Sequence, residues 1–117
     1  SWYIMSNTPE RSVLRSCYKD LVKEITDPNA LAVDLYSQGV LTASERDQVT
    51  QATLTTSQRN EHLLRFLEAR VASDRDAFDK LVSILESEEA YSGLARKLKQ
   101  KLKELNPSAS GSWCSIN

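Results

Sequence analysis

The sequence predicts an all-α fold, a bundle of six antiparallel helices. Apolar residues recur at spacings of three and four in successive segments, which is the period of a helix with one buried side. Residues that commonly cap helices stand between these segments. Only three glycines and three prolines occur in the 117 residues, too few for the many turns of an all-β domain.

The strongest local signal is a corner between two of the predicted helices. Gly39 stands where a helix commonly ends in the left-handed conformation. Val40 and Leu41 follow as an apolar pair that we expect to point inward. Thr42 then opens the next helix, and Glu45 three residues later completes a capping box. Two helices joined by so short a corner need further helices to cover their apolar sides.

A proline signal separates the first two predicted helices. Pro9 and Glu10 suit the first turn of the first helix, which ends before Pro28 because proline disfavours helix at the residue before it. Asp27 caps the second helix, and Pro28 takes its first position. The apolar side of the first helix comprises Leu14, Cys17, Tyr18, Leu21, Val22 and Ile25. The inner face of the second comprises Leu31 and Leu35, with Val33 or Tyr36 beside them.

The third and fourth predicted helices differ in how apolar they are. The third runs from Thr42 to about Ala52 and is weakly apolar, with Val49 and Ala52 as its main core candidates. The fourth runs from about Ser57 to Ala72, and the width of its apolar stripe is typical of a central, most buried helix. The members of that stripe are Leu63, Leu64, Phe66, Leu67 and Val71.

Two further helices complete the predicted bundle. We expect Ser73 to cap the fifth helix, with Asp76 in a position like that of a capping box. The buried side of the fifth helix comprises Ala77, Phe78, Leu81, Val82 and Leu85. The stripe of the sixth helix comprises Tyr91, Leu94, Ala95, Leu98, Leu102 and Leu105.

The chain is predicted to hold one folded domain with two flanking segments. We assign residues 1–8 to an N-terminal extension, 9–105 to the bundle and 106–117 to a flexible C-terminal linker and tail. No apolar run approaches the roughly 18 residues of a membrane span, and no signal-peptide pattern opens the chain. Cys17 and Cys114 are too few and too far apart for a disulfide framework or a zinc site, which favours free thiols in a reducing cytosol.

Charge alternates along the chain although the net charge is only −1. Residues 9–25 and 57–72 each carry a balance of +1, whereas residues 26–53 carry −3. The small total gives no argument for binding nucleic acid or a membrane. Taken alone, the alternation is best interpreted as the solvated faces of an ordinary helical bundle.

Several motifs together resemble the caspase recruitment domain (CARD), a branch of the death-fold superfamily with a Greek-key-like helix order. The resemblance covers about residues 10–103. Its marks are Leu21-Val-Lys-Glu-Ile25, Leu35-Tyr-Ser-Gln-Gly-Val-Leu-Thr42 with Glu45, Arg59 before Leu63-Leu64-x-x-Leu67, Ala77-Phe78 with Leu81 and Leu85, and Leu94-Ala95 with Leu98. Each piece alone is weak, whereas the combination is fairly specific.

The resemblance implies homotypic binding in apoptotic or innate immune signalling, inflammasomes included. It implies that a basic face on helices one and four binds an acidic face on helices two and three, and the charge balances fit that division. The candidate basic residues are Arg11, Arg15, Lys19, Arg59 and Arg65. The candidate acidic residues are Asp27, Asp34, Glu45 and Asp47. The implied partners are CARD-containing proteins, namely copies of the chain itself, an initiator caspase, an adaptor or a scaffold, gathered into cytoplasmic helical filaments.

Two other functions remain open from the sequence. One is a monomeric CARD-type regulator that caps or blocks such an assembly, and the other is a helical bundle with an unrelated binding role. No enzyme function, cofactor, metal, nucleic-acid partner or membrane partner is predicted. His62 has no nucleophile or carboxylate constellation to serve and is interpreted as a residue of the helix surface.

Overall fold

The computed structural model describes residues 8–106, and within that range the chain is helical with no strand. Its elements in chain order are α1 (Pro9–Ser16), α2 (Tyr18–Glu24), α3 (Pro28–Ser37), α4 (Ala43–Val49), α5 (Thr56–Ser73), α6 (Arg75–Ser87), a 3-10 turn (Glu89–Tyr91) and α7 (Ser92–Leu105). The predicted all-α bundle is therefore confirmed. The assignments of residues 1–7 and 107–117 to an extension and a tail lie outside the described residues.

The predicted first helix is divided into α1 and α2 at Cys17. The backbone of Cys17 leaves helical geometry, with φ −97° and ψ 11°, although its N–H still donates to the Val13 carbonyl at 2.9 Å. No proline or glycine stands at this position, so the local sequence carries no signal of a break. Both halves pack against α5 and α7, and the break lets each of them follow those surfaces.

The buried side of α3 differs from the prediction. The inner face of this helix is formed by Pro28, Leu31, Ala32 and Leu35. Val33 is 51% exposed and Tyr36 is 41% exposed, so their assignment to the inner face is wrong. The buried residues lie three, four and seven positions after Pro28, which is the spacing of one helix face. Two of the four buried positions on this face are thus occupied by small residues, Pro28 and Ala32.

The corner after α3 forms as the sequence predicts. Gly39 adopts a positive φ of 78°, and Val40 and Leu41 behind it are buried. The Glu45 N–H donates to the Thr42 hydroxyl at 3.1 Å, and the Thr42 N–H donates to the Glu45 carboxylate at 2.9 Å. This reciprocal capping box fixes the start of α4.

The end of α4 and both ends of α5 differ from the predicted boundaries. α4 ends at Val49, so Ala52 lies in the loop and is exposed rather than a core residue. α5 begins earlier than predicted because Thr55 and Gln58 form a second capping box. It also continues through Ser73, and Asp74 is the residue that caps α6.

Two other core predictions need correction. Phe66 is only partly buried and packs against the edge of the core. Leu105, at the last position of α7, is 46% exposed, because the helix end extends past the neighbouring helices that cover its earlier apolar residues. The remaining members of the predicted stripes on α5, α6 and α7 are buried.

Helix α5 is the central helix, as its broad apolar stripe predicts. It packs against α1, α2, α3, α4 and α6. Asn60 of α5 is fully buried, and its side-chain amide donates to the carbonyls of Val22 at 2.9 Å and Ile25 at 2.8 Å. These bonds satisfy carbonyl groups at the end of α2 that have no helical partner. Asn60 thereby fixes the position of α2 along α5.

Candidate partner-binding surfaces

An open groove of about 910 Å³ lies between α1, α2 and α5. Arg11 and Arg15 reach it from α1, and Arg65 reaches it from α5. Ala69 and Ala72 of α5 also line the groove. Three arginines from two helices thus share one concave surface that also has apolar lining.

Glu68 holds two of these arginines on the wall of the groove. The Arg15 Nε donates to the Glu68 Oε1 at 2.9 Å, and the Arg11 Nε lies 3.7 Å from the same oxygen. The Glu68 side chain is 16% exposed, whereas the Arg15 side chain is 62% exposed. Glu68 engages Arg15 through Nε, and the terminal N–H groups of a guanidinium can bind a further carboxylate in a fork geometry.

The remaining polar groups of the groove lie near Arg65 and Tyr18. The Arg65 guanidinium contacts His62 Nδ1 and lies 5.7 Å from the centre of the Phe66 ring. Partial burial, reinforced by the negative charges of Glu61 and Glu68, raises the pKa of the Tyr18 hydroxyl. Tyr18 therefore remains a neutral phenol at physiological pH and gives the groove an uncharged aromatic wall.

The other two predicted basic residues lie elsewhere. Lys19 lines a neighbouring groove of about 580 Å³ together with Lys23, between α2 and the start of α5. Tyr18 lines both grooves, so Lys19 lies at the edge of the first one. Arg59 is directed to the loop between α4 and α5, where its guanidinium donates to the Gln51 carbonyl at 2.9 Å. Arg59 is thus engaged in holding that loop.

Two of the four predicted acidic residues are engaged in helix caps. The Asp27 carboxylate accepts from the Ala30 N–H at 3.2 Å and caps α3. The Glu45 carboxylate belongs to the capping box of α4 and also accepts from the Arg70 guanidinium of α5 at 3.1 Å. The Glu45 side chain is 21% exposed. Both carboxylates therefore contribute to the fold, and Glu45 joins α4 to α5.

The other two acidic residues are exposed on α3 and α4. Asp34 lies on the outer surface of α3. Asp47 of α4 is 69% exposed and pairs with the adjacent Arg46 at 3.0 Å. The Arg46 guanidinium also lies 4.3 Å from the centre of the Tyr36 ring, a cation–π distance that connects α4 to α3. The outer surface of α3 and α4 therefore combines two carboxylates with an ordered aromatic ring.

The thiol of Cys17 is poorly suited to nucleophilic chemistry. It is 7% exposed, and burial, followed by the charge of Asp20, raises its pKa. Its interpretation as a small buried hydrophobe agrees with this position. Among residues 8–106, no group of three or more His, Cys, Asp or Glu side chains is arranged to hold a metal ion. Within the same range, every helix is too short or too polar to cross a membrane.

The sequence has a counterpart among known protein families. A family model described as the caspase recruitment domain matches residues 11–101. The chain belongs to the caspase recruitment domain family. No curated protein and no solved structure gives a significant match to it. Domains of this family are homotypic protein–protein interaction modules of apoptosis or immune signalling, so this CARD is an interaction module that binds CARD-containing proteins.

Two features of this CARD were absent from the sequence interpretation. The first is Glu68, whose pairing with Arg15 spans 53 residues of sequence. The spacing of four between Arg11 and Arg15 indicates that they share a helix face, but nothing local identifies the carboxylate that they contact. The second is the exposure of Val33 and Tyr36, for which the spacing of the four buried positions on α3 was a usable signal.

Proposed function

We propose that this CARD recruits CARD-containing partners and oligomerises with them through two oppositely charged surfaces. The basic side comprises the groove with Arg11, Arg15 and Arg65. The acidic side comprises the outer surface of α3 and α4 with Asp34 and Asp47. The observation that carries the proposal is the convergence of three arginines from two helices in one open groove, a setting suited to carboxylates of a partner.

The four remaining candidates have lesser places in the proposal. Lys19, at the edge of the groove, adds positive potential to the basic side. The other three candidates already make hydrogen bonds within the fold, so we expect them to contribute less to binding a partner. They are Arg59, Asp27 and Glu45. The proposed contact therefore depends chiefly on the five residues that define the two sides.

Assembly follows from the weakness of a single contact. An exposed ion pair contributes only about 0.2–1 kcal/mol, so one small charged interface binds weakly and depends on salt. Two different complementary surfaces on one body make a head-to-tail contact, which produces a ring or an open helix. Repeated contacts then add through multivalency. The proposed product is a helical oligomer that raises the local concentration of the effectors it gathers.

The proposed biological setting follows the family. The partners are further copies of the chain, an initiator caspase, or a CARD-bearing adaptor or scaffold. The setting is apoptotic or innate immune signalling, inflammasomes included, in the cytoplasm. We further propose that residues 9–105 form the module, that residues 1–8 extend it and that residues 106–117 serve as a flexible C-terminal linker and tail. We propose no enzymatic role for this module.

Charge reversal on each side provides the test. Arg15→Glu and Asp34→Arg are each expected to abolish concentration-dependent growth in sedimentation velocity at low salt and to remove filaments from electron micrographs. Helical content should stay nearly unchanged because both side chains are exposed, although Arg15→Glu also loses its surface pair with Glu68 and should lower the melting temperature slightly. Each variant retains one unaltered surface. An equimolar mixture is therefore expected to associate through these two surfaces, which neither variant can do alone.

Other outcomes would contradict the proposal. Assembly that survives either reversal would show that the face assignment is wrong at that position. A wild-type chain that stays monomeric at every concentration and dissolves the filaments of another CARD would support the capping regulator instead. Unfolding of either variant would show that the residue belongs to the fold.

A further inference from the structure

The outer face of α3 carries two apolar side chains. Val33 is 51% exposed and Tyr36 is 41% exposed. They lie three residues apart, so they are neighbours on the helix surface. Leu105, at the far end of α7, is the other large apolar residue exposed among residues 8–106. The acidic side therefore also carries exposed apolar surface.

The Tyr36 ring contacts a side chain of the neighbouring helix. The Arg46 guanidinium lies 4.3 Å from the ring centre, and Arg46 is in turn paired with Asp47. An aromatic ring has few rotatable bonds and loses little conformational entropy when a partner covers it. Tyrosine is frequent among the residues that dominate binding energy at protein interfaces.

The groove of the basic side has the complementary chemistry. Its lining includes Tyr18, Ala69 and Ala72 among the arginines. Its volume of about 910 Å³ lies in the range of roughly 300–1,000 Å³ typical of pockets that hold a small molecule, so an aromatic side chain fits within it. Small alanine side chains allow a ring to approach the backbone of α5 closely.

We propose that Val33 and Tyr36 are the apolar anchor by which one copy of this chain docks into the groove of a second copy. The ring of Tyr36 packs on Ala69 and Ala72, while Asp47, whose partner Arg46 contacts that ring, meets the arginines at the groove wall. This inference rests on the proposed head-to-tail assembly and specifies what fills its interface. Ion pairs set the orientation, and burial of the apolar anchor adds affinity that exposed ion pairs do not supply.

Charge complementarity identifies a second copy as the occupant. The segment that contains α3 and α4, residues 26–53, carries a balance of −3, whereas the groove lining carries +1, from three arginines against Glu61 and Glu68. The same chain thus carries both an exposed apolar pair on a negatively charged segment and a groove of net positive charge with apolar lining. A second copy therefore offers the anchor a groove of opposite charge.

The test compares three substitutions in the full chain. Tyr36→Ala is expected to raise the dissociation constant of self-association at least about tenfold, measured by sedimentation equilibrium. Tyr36→Phe keeps the ring and should stay within about threefold of the wild type. Leu105→Ala removes another exposed apolar side chain and serves as the matched control, with no expected change. Thermal melts should remain close to wild type for all three.

Cross-linking tests the geometry separately. In a Cys114→Ser background, Val33→Cys copies are mixed with Ala69→Cys copies under mild oxidation. A disulfide-linked pair should form far faster in this mixture than when Leu105→Cys replaces Val33→Cys. The native Cys17 is buried and contributes little.

The outcomes separate this inference from the proposed function. A wild-type chain that does not self-associate overturns both. Assembly that is lost in Arg15→Glu but retained in Tyr36→Ala, without the expected cross-link, overturns the anchor alone and leaves the charge-driven contact in place.

Discussion

The basic and acidic sides of this CARD differ in how their charged residues relate to the fold. On the basic side, Arg15 is paired to Glu68 on the surface, while the neutral Asn60 holds α2 to α5 from within the core. On the acidic side, Asp27 and Glu45 themselves cap α3 and α4. Arg15 thus contacts the fold through a surface ion pair, whereas the two carboxylates form the helix caps themselves.

This difference decides which substitutions report binding alone. Reversing an arginine of the groove alters the surface and leaves every cap in place. Reversing Glu45 alters the surface, a capping box and the pair with Arg70 at once. If such a variant failed to assemble, either the altered surface or the weakened fold would explain the failure. Asp34 and Asp47 are the acidic residues whose substitution separates binding from stability.

The largest expected effect concerns Asn60. Asn60→Ala removes two hydrogen bonds and leaves the carbonyls of Val22 and Ile25 without their donor. We expect the free energy of unfolding to fall by about 2–4 kcal/mol. Urea denaturation measures the change, with the exposed Glu61→Ala on the same helix as control. If Asn60→Ala lost less stability than the Glu45 and Asp27 cap variants described below, Asn60 would not be an internal polar anchor of the basic side. The contrast drawn between the two sides would then be wrong.

Glu45 comes next because it has two structural contacts. Glu45→Ala loses both the capping box and the pair with Arg70, at a cost of about 1–2 kcal/mol. Glu45→Gln can still complete a capping box and should lose clearly less. The difference between the two melting curves separates the stability contributed by the capping box from that contributed by the ion pair with Arg70. Equal losses in both variants would mean that the cap contributes little.

A smaller effect is expected at Asp27, which has the cap alone. Asp27→Ala should lower the free energy of unfolding by about 1 kcal/mol, since the Ala30 N–H loses its acceptor. Asp47→Ala should change it by less than about 0.5 kcal/mol, because Asp47 is exposed and pairs only with its neighbour. If Asp47 proved as costly as Asp27, the division between capping and free carboxylates would fail.

The smallest expected effect lies outside both sides, at Asp79 of α6. Partial burial, followed by the charges of Asp76 and Glu10, raises the pKa of this carboxyl. Because the pKa of Asp79 is higher in the folded protein than in the unfolded chain, its contribution to stability is complete at pH values below its pKa in the unfolded chain. That contribution is lost as the pH rises through its pKa in the folded protein.

Asp79→Asn should therefore raise the melting temperature slightly at pH 7, and the gain should shrink as pH falls toward the ordinary Asp pKa of about 3.9. Because Asp79 is largely exposed, solvent screens the effect. Melting curves at several pH values measure it. A gain that grows on acidification would reverse the sign assigned here.

The local signals in the sequence predicted the local structure well. Asp27, Thr42 and Gly39 act through neighbours within a few residues, and all three take their predicted roles. The break at Cys17 follows instead from the packing of both halves on α5 and α7, which no neighbouring residue encodes.

The candidate sites were harder to predict because they depend on distant residues. Each charged residue could be placed on a helix from sequence, but its partner could not. Glu45 meets Arg70 across 25 residues, and Arg15 meets Glu68 across 53. Whether a charge is exposed or engaged is settled by such contacts. The periodicity of one helix does not contain that information.

The position of Cys17 gives the molecule an internal reporter. The thiol lies at the joint between α1 and α2, and its sulfur is shielded in the folded state. Once Cys114 is replaced by serine, Cys17 is the one cysteine left in the sequence. The rate at which a disulfide reagent labels it would then measure how often the joint opens, with and without a bound neighbour.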